Sequence, residues 1–130
     1  MRVITGEYRG RKLETPAGYD IRPTSDKVKE SIFNLLMGCI DDSVFCDLFA
    51  GTGSLGIEAL SRGAERCYFC DKSRESIGII KRNVQHCHAE EKSVILQGDF
   101  TKGLNRINEK VDVFFIDPPY GDSLYEKCLE

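Results

Sequence analysis

The sequence lacks any apolar run approaching the roughly 20 residues needed to cross a bilayer. Met1-Arg2-Val3-Ile4-Thr5-Gly6-Glu7 likewise opens without the apolar core of a signal peptide. Membrane insertion and secretion are therefore not expected, and the cytoplasm is. A basic excess is missing too: 18 Lys and Arg face 21 Asp and Glu, for a net charge of -3, which excludes a strongly cationic tail as the dominant character. No repeat or low-complexity segment occurs, and 130 residues leave no room for a second full-sized core. Histidine is scarce, two in all. His86-Cys87-His88 has no companion cluster at zinc-site spacing, so no metal is expected.

What is present is a globular composition, 41% hydrophobic and 30% charged, with six cysteines. In a small secreted chain these would read as disulfides; without a secretion signal they read as reduced thiols. Cys67 and Cys70 have CxxC spacing but fall in an apolar run, where residues three apart on a strand face opposite sides and cannot easily chelate. Charge is unevenly spread. Arg2, Arg9, Arg11 and Lys12 face only Glu7 in the first 12 residues. A basic arm thus sits on an acidic body, which suits contact with a phosphate backbone along one edge.

Arg2 to Thr5 and Arg11 to Glu14 flank Gly6 and Gly10 as the two sides of a hairpin. Thr15 to Asp20 is a turn-rich connector, so residues 1–23 read as arm and connector ahead of a core at 24–130. Next comes a helix that Thr24 or Ser25 can cap and Gly38 can close, with Val28, Ile32, Leu35 and Leu36 as its expected core stripe. From residue 44 onward, strand candidates at 44–49, 66–70, 94–96 and 111–116 alternate with helical segments. Near-continuous apolar strands separated by helices predict a doubly wound α/β fold around a parallel sheet covered on both faces.

Gly51-Thr52-Gly53-Ser54-Leu55-Gly56 matches G-x-G-x-x-G between a strand and a helix, the context that makes this pattern a nucleotide-site candidate. Asp71 follows Gly51 by 20 residues, at the end of the second strand, where a carboxylate can accept both hydroxyls of a ribose. NAD and S-adenosylmethionine both satisfy that arrangement. Asp47, at the end of the first strand, separates them: its charge repels a pyrophosphate and attracts the ammonium of a methionine moiety. After the third strand, Asp99 and Phe100 offer a carboxylate and an aromatic face to an adenine, although Asp99 equally suits a helix cap.

The most specific signal is Asp117-Pro118-Pro119-Tyr120 after the fourth strand. Two prolines stiffen the backbone, holding the Asp117 carboxylate and the Pro118 carbonyl as two acceptors beside a stacking ring on Tyr120. Two fixed acceptors draw the N–H donors of a base's exocyclic amine toward tetrahedral geometry, which frees its lone pair to attack a sulfonium methyl in line. Asp117 is the nearest group to take the released proton.

These ordered motifs, Asp47 to Gly56, Asp71 and Asp117 to Tyr120, resemble those of class I S-adenosylmethionine-dependent amino-methyltransferases. Tyr8 to Leu13, the run Arg22-Pro23-Thr24-Ser25-Asp26-Lys27-Val28-Lys29-Glu30 and Leu48 to Ala64 narrow the resemblance to bacterial 16S ribosomal RNA guanine-N2 methyltransferases of the RsmD type. That resemblance covers essentially the whole chain. It implies methylation of one guanine's amino group in small-subunit ribosomal RNA, within an assembling or assembled particle; the positive charge concentrated in the arm in turn assigns Arg2, Arg9, Arg11, Lys12 and Arg22 to RNA phosphates. Two departures are minor: Cys46 stands where an aliphatic residue is more usual, and Asp71 where glutamate is frequent. A third concerns extent. Class I methyltransferases carry seven strands, and four central ones are visible here, in the expected order 3-2-1-4, so the sequence reads as a C-terminally shortened member. The rival readings are an NAD-dependent oxidoreductase, an adenine or protein-glutamine amino-methyltransferase, and an inactive binding module.

Overall fold

The apolar runs at 44–47 and 66–71 become strands that bury both faces, whereas the runs at 93–97 and 113–115 are half-buried and Phe114 is 45% exposed. In the computed structural model, which describes residues 2–15 and 26–116, the order is α1 (Asp26–Leu35), β1 (Val44–Asp47), α2 (Ser54–Ser61), β2 (Arg66–Asp71), α3 (Arg74–His86), β3 (Ser93–Gln97), α4 (Phe100–Arg106) and β4 (Val113–Phe115). Arg22, Thr24, Ser25, the connector beyond Thr15 and the Asp117 to Tyr120 motif lie outside the described residues.

The four strands form one parallel sheet in the order β3-β2-β1-β4. The expected doubly wound α/β class and the expected strand order are both met. Alternation divides the side chains cleanly. Phe45, Cys67, Phe69 and Phe115 join the larger core cluster, whereas Val44, Cys46, Tyr68 and Cys70 form a second one on the opposite face. Cys67 and Cys70 therefore part to opposite sides, as their spacing predicts. The five described cysteines, Cys39, Cys46, Cys67, Cys70 and Cys87, are free thiols. Among the described residues no helix is long and apolar enough to cross a membrane.

The helix α1 corrects one expectation. Val28 is 50% and Leu35 86% exposed, while the buried residues are Lys29 and Phe33, flanked by half-buried Ile32 and Leu36. The helix is turned so that Lys29 points inward to an acidic partner on α2 and Phe33 packs edge-on against Phe115, with ring centroids 5.8 Å apart. A charge occupies a core position that apolar periodicity assigned to its neighbour.

The N-terminal arm shares this core. Val3, Tyr8 and Leu13 belong to the larger cluster. The hairpin is reduced to one antiparallel bridge, Arg2 with Lys12, closed by Val3 N–H to Arg11 C=O and Gly10 N–H to Val3 C=O, each at 2.9 Å. Gly6 lies so close to α2 that a Cβ there would fall 2.0 Å from the Ser61 carbonyl oxygen.

Candidate cofactor site

The strand order reverses between β1 and β4, and in open α/β sheets the carboxyl edge at such a reversal is where ligands bind. Asp47 and Asp71 end β1 and β2 on that edge. From Asp47 the chain turns through Leu48 to Gly53 into α2. Gly51 and Gly53 have φ of 59° and 82°, a left-handed region that favours glycine. Their surroundings differ. A Cβ on Gly53 would touch Ile80 and Phe69 at 3.4 to 3.5 Å, whereas one on Gly51 would meet nothing within 4 Å. Gly51 thus presents bare backbone to open space, and Gly53 makes the turn against the core. Gly56 lets α2 approach β2: a Cβ there would come within 2.3 Å of the Phe69 ring and 2.6 Å of the Cys67 sulfur.

Asp71 straps two loops together. Its Oδ2 accepts the Gly51 N–H and its Oδ1 the Ser73 N–H, both at 2.9 Å. An ionised carboxylate has about four lone-pair sites, so capacity remains on each oxygen for ribose hydroxyls. Asp47 is 2% exposed and its Oδ1 accepts the Phe49 N–H at 3.3 Å. Asp99 is exposed and caps α4, accepting the Lys102 N–H at 3.0 Å and the Thr101 hydroxyl at 2.6 Å. Those bonds, the Thr101 hydroxyl first, hold its carboxyl below the usual aspartate value. Phe100 is the first residue of α4. Below the loop, the hydrogen bond with Cys70, reinforced by burial, pushes the Cys46 thiol up and keeps it protonated.

The arm cations are placed unequally. Arg2 lies 3.8 Å from Asp26, and Arg11 donates to the His86 carbonyl at 3.1 Å, at the C-terminus of α3. Arg9 and Lys12 are exposed. Between arm and α1 runs a cleft of about 300 Å³, where Arg2 and Arg9 face Asp26 and Glu30.

Sequence reasoning missed a buried polar set that fastens the arm. Glu58, on α2 and fully buried, accepts the Ile4 N–H at 2.9 Å, the Thr5 N–H at 3.1 Å and the Arg62 Nε–H at 2.8 Å. Lys29 Nζ lies 3.6 Å from Glu58 Oε1, and burial pulls its pKa down against the opposing pull of that carboxylate. Ser61 accepts the Tyr8 N–H at 2.9 Å and donates to the Thr5 carbonyl at 2.7 Å. Asn83, on α3, accepts the Glu14 N–H at 2.6 Å. A glutamate and two serines within the otherwise apolar 54–61 helix were the available signal.

The fold and the carboxyl-edge loop define a Rossmann-like class I methyltransferase. The protein-family model described as Conserved hypothetical protein 95 matches residues 1–130. The ribosomal RNA small subunit methyltransferase D of Haemophilus influenzae is 41% identical over 133 residues, covering 99% of this chain and 68% of its own length. The Bacillus subtilis protein YlbH, an rRNA methyltransferase by name, is 43% identical over 132 residues, covering 99% of this chain and 72% of its own. A solved structure of Escherichia coli yhhF, a methyltransferase by name, superposes with a TM-score of 0.86 at 32% identity, covering 98% of this chain and 68% of that one. The chain belongs to the family of the ribosomal RNA small subunit methyltransferase D proteins.

Proposed function

We propose that this protein transfers a methyl group from S-adenosylmethionine to the exocyclic N2 amino group of a guanine in 16S ribosomal RNA, in the cytoplasm, within an assembling or assembled small subunit. The observation that carries this reading is the pairing of Gly51 and Asp71. Bare backbone faces open space beside a half-buried carboxylate with lone pairs to spare, in a chain of this family. The residues fit the cofactor. Gly51 leaves room for its methionine part against the backbone around Gly51 and Gly53, Asp47 supplies the buried negative charge for its ammonium, Asp71 accepts its ribose hydroxyls, and we assign Asp99 and Phe100 to its adenine. When bound, S-adenosylmethionine supplies an electrophilic methyl on a sulfonium.

On the substrate side, Asp117 and the Pro118 carbonyl accept the two N–H donors of the guanine amine, and Asp117 takes the proton released. Tyr120 stacks on the base, which must leave its helix because an amine inside folded RNA cannot meet the methyl in line. Arg2, Arg9, Arg11, Lys12 and Arg22 position the RNA through phosphates, with residues 1–23 as the RNA-facing arm and 24–130 as the transferase core. Single-turnover transfer of a labelled methyl to undermethylated small-subunit RNA and particles, followed by nucleoside analysis, tests the reading. N2-methylguanine is the expected product; label on adenine or on protein would overturn it.

A further inference from the structure

Two buried side chains outside the glycine loop reach it from the two ends of the arm. Lys29 Nζ, with no solvent exposure, donates to the Arg2 carbonyl at 2.9 Å and to Ser54 Oγ at 2.8 Å. Asn83, 2% exposed, binds Glu14 through both backbone groups, accepting its N–H and donating to its carbonyl at 3.1 Å, and donates to the Thr52 carbonyl at 2.9 Å. Thr52 and Ser54 are the residues on either side of Gly53. Arg2 and Glu14 stand near the two ends of the described arm. Each brace therefore has one foot on the arm and the other beside the residue that makes the loop's turn.

We propose that Lys29 and Asn83 are positioning residues that couple the N-terminal arm to the glycine loop, so that seating the arm orders the loop and a ligand on the loop stabilises the arm. The physical ground is satisfaction of buried polar groups. Lys29 is wholly buried and Asn83 nearly so, so neither can exchange a lost partner for water, and displacement of arm or loop leaves a donor or acceptor unmet. Each foot therefore favours the position of the other, and such linkage acts equally in both directions. The proposal rests on the reading of the loop as the seat of S-adenosylmethionine and adds that the RNA-facing arm biases that seat.

Hydrogen exchange with and without S-adenosylhomocysteine tests it in the full chain. Without ligand, Asn83→Ala and Lys29→Met should speed exchange at Gly53 and Ser54 by about five-fold, the loss of one ordinary hydrogen bond, while β2 is unchanged. With ligand, the parent should slow exchange at Val3 and Gly10 in the arm as well as at the loop; in each variant the loop should still respond and the arm should respond less, because only one of the two braces remains. Should Asn83→Ala fail to fold, Asn83→Asp keeps the acceptor for Glu14 N–H and loses the donor to the Thr52 and Glu14 carbonyls, and the same two comparisons apply. An arm that ignores ligand in the parent, or responds equally in the variants, overturns the coupling. If S-adenosylhomocysteine does not bind the parent, the cofactor reading fails. The ligand-free exchange at Gly53 and Ser54 then decides the brace alone: faster in the variants supports it, unchanged overturns it.

Discussion

The Gly51 N–H donates to Asp71 Oδ2 at 2.9 Å, so the carboxylate proposed to hold a ribose also holds the loop beside it. Asp71→Ala removes both functions and should lower affinity for S-adenosylhomocysteine by about 1.5 to 3 kcal/mol. Asp71→Asn keeps an acceptor for one backbone N–H and should melt closer to the parent than Asp71→Ala while losing affinity. Calorimetry and thermal melting separate the two effects, and unchanged affinity in a folded Asp71→Ala variant would sink the assignment.

Asp117→Ala should abolish methyl transfer and leave cofactor affinity nearly intact, because its proposed partners are on the base. Tyr120→Ala should weaken RNA binding by about 1 to 3 kcal/mol, the range for one stacked base. Normal turnover by Asp117→Ala on the natural RNA would refute the mechanism.

Replacing Arg9, Arg11 and Lys12 by alanine should lower RNA affinity and flatten its salt dependence, with cofactor binding unaffected. Arg11 also satisfies the His86 carbonyl, so Arg9→Ala with Lys12→Ala is the cleaner pair. Equal salt slopes for variant and parent exclude a direct role.

Glu58→Ala leaves Lys29 without its buried counter-charge and the Ile4 and Thr5 amides without their acceptor. A loss of about 3 to 5 kcal/mol is expected by urea unfolding. Lys29→Met should cost less, because Glu58 keeps Arg62 and both amides. The reverse ranking would show that the Lys29 bonds to the Arg2 carbonyl and Ser54 outweigh those of Glu58 in stability.

Glu14 beside Arg82, and Glu109 bonded to Tyr68 and Arg66, both have carboxyls held below the usual glutamate value. A depressed carboxyl pKa contributes stability that is complete above the unfolded value, about 4.3, and is lost as pH falls through the folded value. Stability should therefore decline on acidification below about pH 4.3, and Glu14→Gln with Glu109→Gln should flatten that limb in denaturant titrations at several pH values. An unchanged slope would dissociate these pairs from stability.

The inner strands β1 and β2 are legible because strands buried on both faces are continuous apolar runs, and glycines followed by Asp71 are a local pattern. Strand ends were less so: the run expected at 111–116 pairs only over Val113–Phe115. The face of α1 was misread because a lysine at a core position is invisible to apolar periodicity until its partner, 29 residues on in α2, is known. Asp99 carried two readings in the sequence, and the cap is the one seen among the described residues. Glu58 and Asn83 escaped notice because a polar side chain that satisfies distant backbone has no sequence pattern of its own.

The arm's dependence on α2 and α3 also sets a timetable for synthesis. Ile4 and Thr5 find their acceptor 54 and 53 residues later, and Glu14 finds its partner 69 residues later. On a ribosome, these amides leave the exit tunnel well before Glu58 and Asn83 exist outside it, and long-range closure of this kind is slow. The arm is thus made early and settles late, and a nascent chain arrested before Asn83 emerges should display Val3, Tyr8 and Leu13 to any chaperone that binds exposed apolar segments.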